Sequence, residues 1–358
     1  MRIATLANAS VVHTQRWVEH FRARGHDVRV FSLERGPAPL AAMPLPAAPL
    51  PGVLRYPLAV PALRRALAAF EPDLVDSHFV PNYGLMAALA GRRPFSIAAW
   101  GSDQLLAAGR NPLPRARARF AMQRASLVLC DAENLAAAAR RAGAPPGIVR
   151  AVPWGVDRER FRPAATREPG LIVSVRMHEP VYNLTSVIHA LAPLLLEHES
   201  AHVVFAGDGS QRARLEQLAR ERLPAGRYRF IGRIPPAEMA ALLARAEVFV
   251  SASLSDSTSQ SLLEAMAAGA FPVVSDIEGN REWVGPGDGA HLFEPHDVAE
   301  LAHGVGKALA DAEWTARARA RNAEVIVRRG DWHVNLARIE RYFECLVAGR
   351  PLPEASAA

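Results

Sequence analysis

The sequence predicts an α/β protein made of two Rossmann-like domains in tandem. Three observations carry this reading. Short apolar runs alternate with amphipathic stretches along both halves of the chain, the pattern of βαβ units around parallel sheets. The alternation pauses at Val152-Pro153-Trp154-Gly155-Val156-Asp157 and then restarts. The length, 358 residues, suits two domains of roughly 150 residues, each with its own core.

In the first half, strands are expected at Ile3 to Leu6, Val28 to Phe31, Leu74-Val75, Phe95 to Trp100, Leu127 to Cys130 and Ile148 to Val152. A helix through Trp17, Val18 and Phe21 stops at Gly25, and the proline-rich stretch from Pro37 to Pro61 reads as a surface loop. Arg162-Pro163-Ala164-Ala165 reads as the linker, giving domains of 1–163 and 164–334. The second half repeats the pattern with strands at Leu171 to Val175, Val203 to Ala206, Tyr228 to Ile231, Val248 to Val250 and Phe271 to Val274. From Val298 the chain is almost wholly helical. Ligands of such sheets lie off the carboxyl ends of the strands, so a site shared by the two domains is expected.

Composition narrows the classes. Hydrophobic residues make up 50% and charged residues 22%, as in ordinary soluble proteins. No apolar run approaches the roughly 20 residues needed to cross a bilayer. The start reads as a first strand rather than a leader, because Asn8 and His13 interrupt it early. Cys130 and Cys345 are too few for a disulfide framework or a four-ligand zinc site, and a cytoplasmic address is expected. The net charge is +6, and Lys307 is the single lysine among 42 basic residues. With the abundant alanine and proline, this reads as a GC-rich genome. There is no aromatic-interleaved basic run or zinc-finger spacing, so no nucleic-acid partner is expected.

The most informative segment runs from Ser251 to Gly269, with a strand end, a loop of small polar residues and a helix starting near Ser261. Unpaired amides at such a helix start, together with the helix dipole, favour a diphosphate. Asp256 and Glu264 flank it eight residues apart, and carboxylates accept charge-assisted hydrogen bonds from sugar hydroxyls. A second reading makes Ser261 and Glu264 a capping box and Asp256 a plain loop acid.

This segment resembles the Glu-x7-Glu signature of retaining family-4 glycosyltransferases of GT-B fold, with Asp in place of the first acid. Four further landmarks resemble that family in order: Arg24-Gly25-His26-Asp27-Val28, the stretch from Trp154 to Pro163, Ala206-Gly207-Asp208-Gly209, and Phe271 to Trp283. The resemblance covers residues 1 to about 345. It implies two Rossmann-like domains facing across a cleft, with an N-terminal acceptor domain, a C-terminal donor domain, and a last helix at about 335–358 packing back on the first domain. It also implies a sugar moved from a nucleotide-diphosphate sugar to a saccharide or lipid-linked acceptor, with retention and without a metal or other cofactor.

By the same resemblance, Glu264 holds the donor ribose, Asp256 the transferred sugar, and the backbone at Ser257, Thr258, Ser259, Gln260 and Ser261 the sugar and diphosphate. Arg176 neutralises the diphosphate, the turn at Arg233 and Ile234 meets the base, and Gly207 belongs to the same donor site. As a plain reading, Arg176 is a solvated arginine at a strand end. The sequence departs from the family at three places. Tyr182, followed by Asn183, stands where a lysine is common. Trp100 of Ala98-Ala99-Trp100-Gly101-Ser102-Asp103 stands where a histidine often sits. Asn8 to Thr14 replaces a glycine-rich loop. His13 and His78 are the candidates for the missing histidine's role, and each also reads as a structural histidine.

Other templates fail: there is no Asp-x-Asp, His-Glu-x-x-His, Gly-x-Ser-x-Gly or Walker loop. Gly285 to Ala290 mimics a dinucleotide fingerprint, but it contains proline and precedes a strand. Rival readings are a nucleotide-sugar epimerase, a phosphorylase, for which Lys307 is a poor cofactor lysine, and a non-catalytic nucleotide-sugar binder. Finally, Arg110, Arg115, Arg117, Arg119 and Arg124 crowd one segment with Leu113, Phe120 and Met122. It reads either as a solvated helix face or as a peripheral contact with anionic membrane at the inner face of the cell membrane.

Overall fold

The computed structural model describes residues 1–46, 52–101, 112–285 and 288–354. The described chain divides into two compact units, Met1–Pro153 with the segment from Leu336 onward, and Trp154–Asn335. The boundary lies between Pro153 and Trp154 rather than after Pro163. The reason is local: Val156 bridges to Asp331, its amide donating to the Gly330 carbonyl at 2.7 Å. Phe161 is buried among Leu171, Val173 and Phe249. The expected linker is thus part of the second unit.

Unit 1 holds seven parallel strands: β1 (Arg2–Leu6), β2 (Asp27–Ser32), β3 (Met43–Pro44), β4 (Leu74–His78), β5 (Phe95–Ala99), β6 (Leu127–Cys130) and β7 (Val149–Ala151). Their order is β3-β2-β1-β4-β5-β6-β7. Unit 2 holds β8 (Leu171–Ser174), β9 (His202–Ala206), β10 (Tyr228–Gly232), β11 (Val248–Ser251), β12 (Phe271–Ser275) and β13 (His291–Phe293), in the order β10-β9-β8-β11-β12-β13. Both follow the doubly wound scheme, whose strand order reverses once. The switch points lie between β1 and β4 in unit 1 and between β8 and β11 in unit 2.

The strands are near-continuous apolar runs because helices cover both faces. In unit 2 the two faces separate by alternation. Ile172, Val203, Phe205, Val248 and Val250 enter one core, while Leu171, Val173, Val204, Ala206 and Phe249 enter the other.

The stretch from Pro37 to Pro61 departs from the expected loop. It holds a short 3-10 turn at Ala38–Leu40, the strand β3, the helix Gly52–Leu58, and the start of the helix Val60–Phe70. Pro61 lies in the first turn of that last helix, where a missing N–H costs nothing. Leu63, Leu67 and Phe70, spaced for one helix face, are buried. From Leu336 the helix Trp332–Val347 packs in unit 1. There Phe343 stacks on Phe21 at 5.4 Å, and Glu340 accepts from Arg24 Nε at 3.1 Å and meets His26 Nε2 at 2.7 Å. The Arg24-Gly25-His26 landmark therefore anchors this helix.

Candidate functional site

At the unit 2 switch point, Arg176 follows β8 and Val175, and is 7% exposed. One terminal nitrogen donates to Ser259 Oγ at 2.8 Å and to Ser261 Oγ at 2.6 Å; the other donates to Asp256 Oδ2 at 2.5 Å. Its face lies 4.2 Å from the centroid of the Tyr182 ring, and its buried Nε has no partner among the described residues. A buried cation is costly unless polar groups replace its water. Here two hydroxyls, one carboxylate and one aromatic face do so. The solvated strand-end reading of Arg176 is thereby set aside.

The helix after β11 spans Gln260–Ala268 and is capped by Ser259, whose Oγ accepts from the Leu262 amide at 3.4 Å. Ser259 has the extended backbone that a cap requires, whereas Ser261 is already helical. The capping-box reading of Ser261 and Glu264 is thus corrected: Ser261 accepts from Arg176, and Glu264 lies half-buried in the second turn rather than the first. Three residues apart on a helix, they share a side. Gln260 donates from Nε2 to the Gly155 carbonyl at 2.7 Å.

The loop from Asp256 to Ser259 is held from below. Thr258 Oγ1 accepts from Trp283 Nε1 at 3.4 Å, and Ser275 Oγ donates to the Ser253 carbonyl at 2.6 Å. A Cβ on Gly279 would stand 1.9 Å from the Ser257 carbonyl oxygen, so only glycine lets this backbone pass. The Phe271 to Trp283 landmark is a support for the loop. Gly207 follows β9 at φ +154°, where a Cβ would stand 2.2 Å from the Arg176 carbonyl oxygen. Its amide donates to the Gly232 carbonyl at 2.8 Å. Beyond Gly232, Arg233 is exposed and Ile234 packs on the core. Asn183, at φ +47°, starts the helix Leu184–Glu197, and its Oδ1 accepts from Ser186 Oγ at 3.1 Å.

Of the donor-site candidates, Arg176, Asp256, Ser259, Ser261 and Tyr182 form one connected cluster. Ser257, Thr258 and Gln260 form its loop and helix start. Gly207, Arg233 and Ile234 line neighbouring strand ends of the same sheet. Sequence reasoning missed His178, wholly buried two residues after Arg176, with its ring edge-on to Phe230 at 5.6 Å. Burial, and next the Arg212 charge, lower its pKa below the ordinary histidine value.

At the unit 1 switch point, β4 carries Asp76 and His78, two residues apart and hence on one face. Asp76 is fully buried. It accepts from Trp17 Nε1 at 2.9 Å and Ser96 Oγ at 2.8 Å, and its Oδ2 lies 3.1 Å from His78 Nε2. The other ring nitrogen of His78 is Nδ1. That atom is buried without a partner among the described residues. Trp100 lies 5.3 Å from the His13 ring and 5.5 Å from the His78 ring. The two candidate histidines thus meet at the residue that replaces the family's histidine. Burial, then the Arg16 and His78 charges, bring the pKa of His13 down to about 4. Phe79 follows at φ +72°, an outlier for a bulky residue, and opens the π-helical turn Phe79–Gly84. Such features gather at functional sites. Asp76 and Trp17 escaped the sequence reading, although the two-residue step from Asp76 to His78 was its available signal.

The basic segment forms the helix Pro112–Met122. Ala118, Ala121 and Met122 are buried, Arg115 and Arg119 are exposed, and Arg117 is half-buried. Arg124 caps the Phe120 ring at 3.7 Å. Ser102, Asp103, Gly109, Arg110 and Asn111 lie outside the described residues. Among the described residues, no helix is long and apolar enough to cross a membrane. Nor do three His, Cys, Asp or Glu side chains there form a group that could hold a metal ion.

Comparison with known proteins places this geometry. Residues 10–160 match the family Glycosyltransferase Family 4, and residues 156–325 match Glycosyl transferases group 1. The chain is 30% identical over 200 residues to the phosphatidyl-myo-inositol mannosyltransferase of Mycolicibacterium smegmatis, an alignment covering 54% of this chain and 51% of that protein. It therefore spans about half the length of that relative. It is 28% identical to the GDP-mannose-dependent alpha-mannosyltransferase of Mycobacterium tuberculosis, over 95% of this chain and 93% of that one. The fold is that of Anabaena HepE, crystallised with UDP and glucose, at a TM-score of 0.83 and 18% identity over 97% of this chain and 100% of that chain. It is also that of the sucrose-phosphate synthase of Thermosynechococcus elongatus, at a TM-score of 0.85 and 18% identity over 98% of this chain and 100% of that chain. With two parallel-sheet Rossmann-like units and two family matches that together run from residue 10 to residue 325, the chain belongs to the family-4, group 1 glycosyltransferases of GT-B fold.

Proposed function

We propose that this protein is a retaining, metal-independent hexosyltransferase that moves a sugar from a nucleotide-diphosphate sugar to a saccharide or lipid-linked acceptor in cell-surface polysaccharide or glycolipid synthesis. The observation that carries the reading is Arg176. It is a buried cation held at the start of the Gln260–Ala268 helix by Ser259, Ser261 and Asp256. A diphosphate meets there a charge and a set of helix amides, both fixed before it arrives. Glu264, on the same helix side as Ser261, is the ribose ligand in this reading, and Asp256 the sugar ligand. Gly207, Arg233 and Ile234 flank the base.

As the bond from the sugar's anomeric carbon to phosphate loosens, negative charge grows on the leaving diphosphate. Arg176 and the helix amides stabilise it. The leaving phosphate oxygen takes the acceptor's proton, and the acceptor oxygen bonds to the anomeric carbon on the same face. No side-chain nucleophile is required. Unit 1 is the acceptor domain in this reading, with His78 and His13 beside Trp100 offering hydroxyl partners. The name of the M. smegmatis relative, a phosphatidyl-myo-inositol mannosyltransferase, supports a lipid-linked acceptor. The exposed Arg115 and Arg119 support peripheral contact with anionic membrane from the cytoplasmic side.

The test is a thermal-shift panel of UDP, GDP, ADP and their sugars. A ligand at 100 times its dissociation constant adds about 2.7 kcal/mol of stability. Turnover unaffected by a chelator, and a product anomer matching the donor's, would support the finer reading. Nucleotide binding with neither transfer nor donor hydrolysis would leave a non-catalytic binder.

A further inference from the structure

We propose that Tyr182 is a positioning residue of the donor site. Its ring face, rather than its hydroxyl, holds the Arg176 guanidinium in the plane from which it addresses the helix start. The assignment rests on the reading of Arg176 as the diphosphate-facing group.

The geometry leads there in three steps. First, the two terminal nitrogens of the guanidinium are engaged by Ser259, Ser261 and Asp256, and Tyr182 is the group that meets it from a ring face. The Tyr182 centroid lies 4.2 Å from Cζ, within the range where a cation is drawn to a ring's negative face. Second, the ring is itself fixed. Tyr182 closes the 3-10 turn Pro180–Tyr182, its amide donating to the Glu179 carbonyl at 3.0 Å, and the ring packs on the unit 2 core. Third, that turn is tied to the acid's loop: the Leu254 amide donates to the Val181 carbonyl at 2.8 Å. Arginine, ring and Asp256 loop are thus one unit. Arg176 is 7% exposed, so the contact lies where water screens it little and cation–π attraction is strongest. A lysine at 182 would bring a second positive charge to the same place. The ring instead orients the single charge already present.

The experiment measures UDP, GDP and ADP binding and donor turnover for Tyr182→Phe and Tyr182→Leu, with thermal unfolding of each free variant as a folding control. Phe keeps the ring and should stay within about twofold of wild type. Leu keeps bulk without a negative face. It should lose roughly 5- to 30-fold in nucleotide affinity, the span of a partly to fully desolvated cation–π contact, and more in turnover than in affinity. A double-mutant cycle on unfolding, pairing each variant with Arg176→Met, reads the contact without any nucleotide. The cycle with Leu should show coupling to Arg176, because Leu removes the ring contact, and the cycle with Phe should show almost none, because Phe keeps it. A Phe variant as impaired as Leu would place the role in the hydroxyl and overturn the proposal, as would a Leu variant that binds like wild type. Wild-type protein that binds none of the three nucleotides would instead remove the donor-site reading of Arg176.

Discussion

The two sheets share one strand order, yet their carboxyl edges bury opposite charges at corresponding switch points. In unit 2 the buried ion is a cation, Arg176, matched by two hydroxyls, a carboxylate and a ring face. In unit 1 it is an anion, Asp76, matched by an indole N–H, a hydroxyl and an imidazole. The cation sits at a helix start lined with serines, an arrangement that favours a further anion. The anion is consumed in orienting His78, and what surrounds it is aromatic: Trp17, Trp100 and His13. Trp17 and His78 are buried there, so these rings pack on one another around the carboxylate. One scaffold thus carries two chemistries, and the choice lies in a few side chains at strand ends.

The largest expected effect breaks the unit 1 side. Asp76→Leu leaves the indole, hydroxyl and imidazole donors facing an apolar group. It should cost about 3 to 5 kcal/mol of stability, as removing one partner of a buried charged network does. A chemical denaturation curve with an unchanged midpoint would show the network to be solvated. On the unit 2 side, Arg176→Ala should lower turnover on the order of a hundred- to a thousand-fold, by analogy with loss of one oxyanion donor. Donor affinity should fall less, because the charge it faces grows towards the transition state.

His13 distinguishes the two edges by pH. Its folded pKa of about 4 lies below the ordinary histidine value near 6.5. Below pH 6.5 the unfolded chain therefore binds the proton first, and stability falls as pH drops from about 6.5 to 4. Against His13→Gln, wild type should lose up to about 3 kcal/mol across that window and nothing above it. Parallel curves for the two proteins would show that His13 is solvated.

Smaller effects sharpen the unit 2 edge. Glu264→Gln should weaken nucleotide binding about tenfold, the loss of one charge-assisted hydrogen bond, and calorimetry with the bare diphosphate nucleotide reads it directly. Asp256→Asn should act the other way on that nucleotide. Freed from its internal anion, Arg176 should bind the diphosphate severalfold more tightly while turnover of the whole donor falls. Unchanged affinity would mean that Asp256 does not compete for the guanidinium.

The alternation of apolar runs was enough to locate eleven strands, because parallel strands buried on both faces must be apolar throughout. It also anticipated a strand after Ala290, where β13 lies, and the one it did not place, β3, is two residues long. The prolines from Pro37 to Pro61 hid two helices, since a proline in a first turn reads like a loop until its neighbours Leu63, Leu67 and Phe70 are seen to be buried. The Asp256 to Glu264 segment was legible as a site from its serine-rich strand-to-helix turn. What lay beyond the sequence were the partners. That Ser259 and not Ser261 caps the helix, that Arg176 reaches Asp256 across 80 residues of chain, and that the Tyr182 ring lies under the guanidinium carbon depend on where two strand ends come to rest. The same holds for Asp76, whose three donors come from three elements. Periodicity is a property of one segment and survives in the one-dimensional string. A buried charge is satisfied by groups from several segments, and only the packed chain decides which.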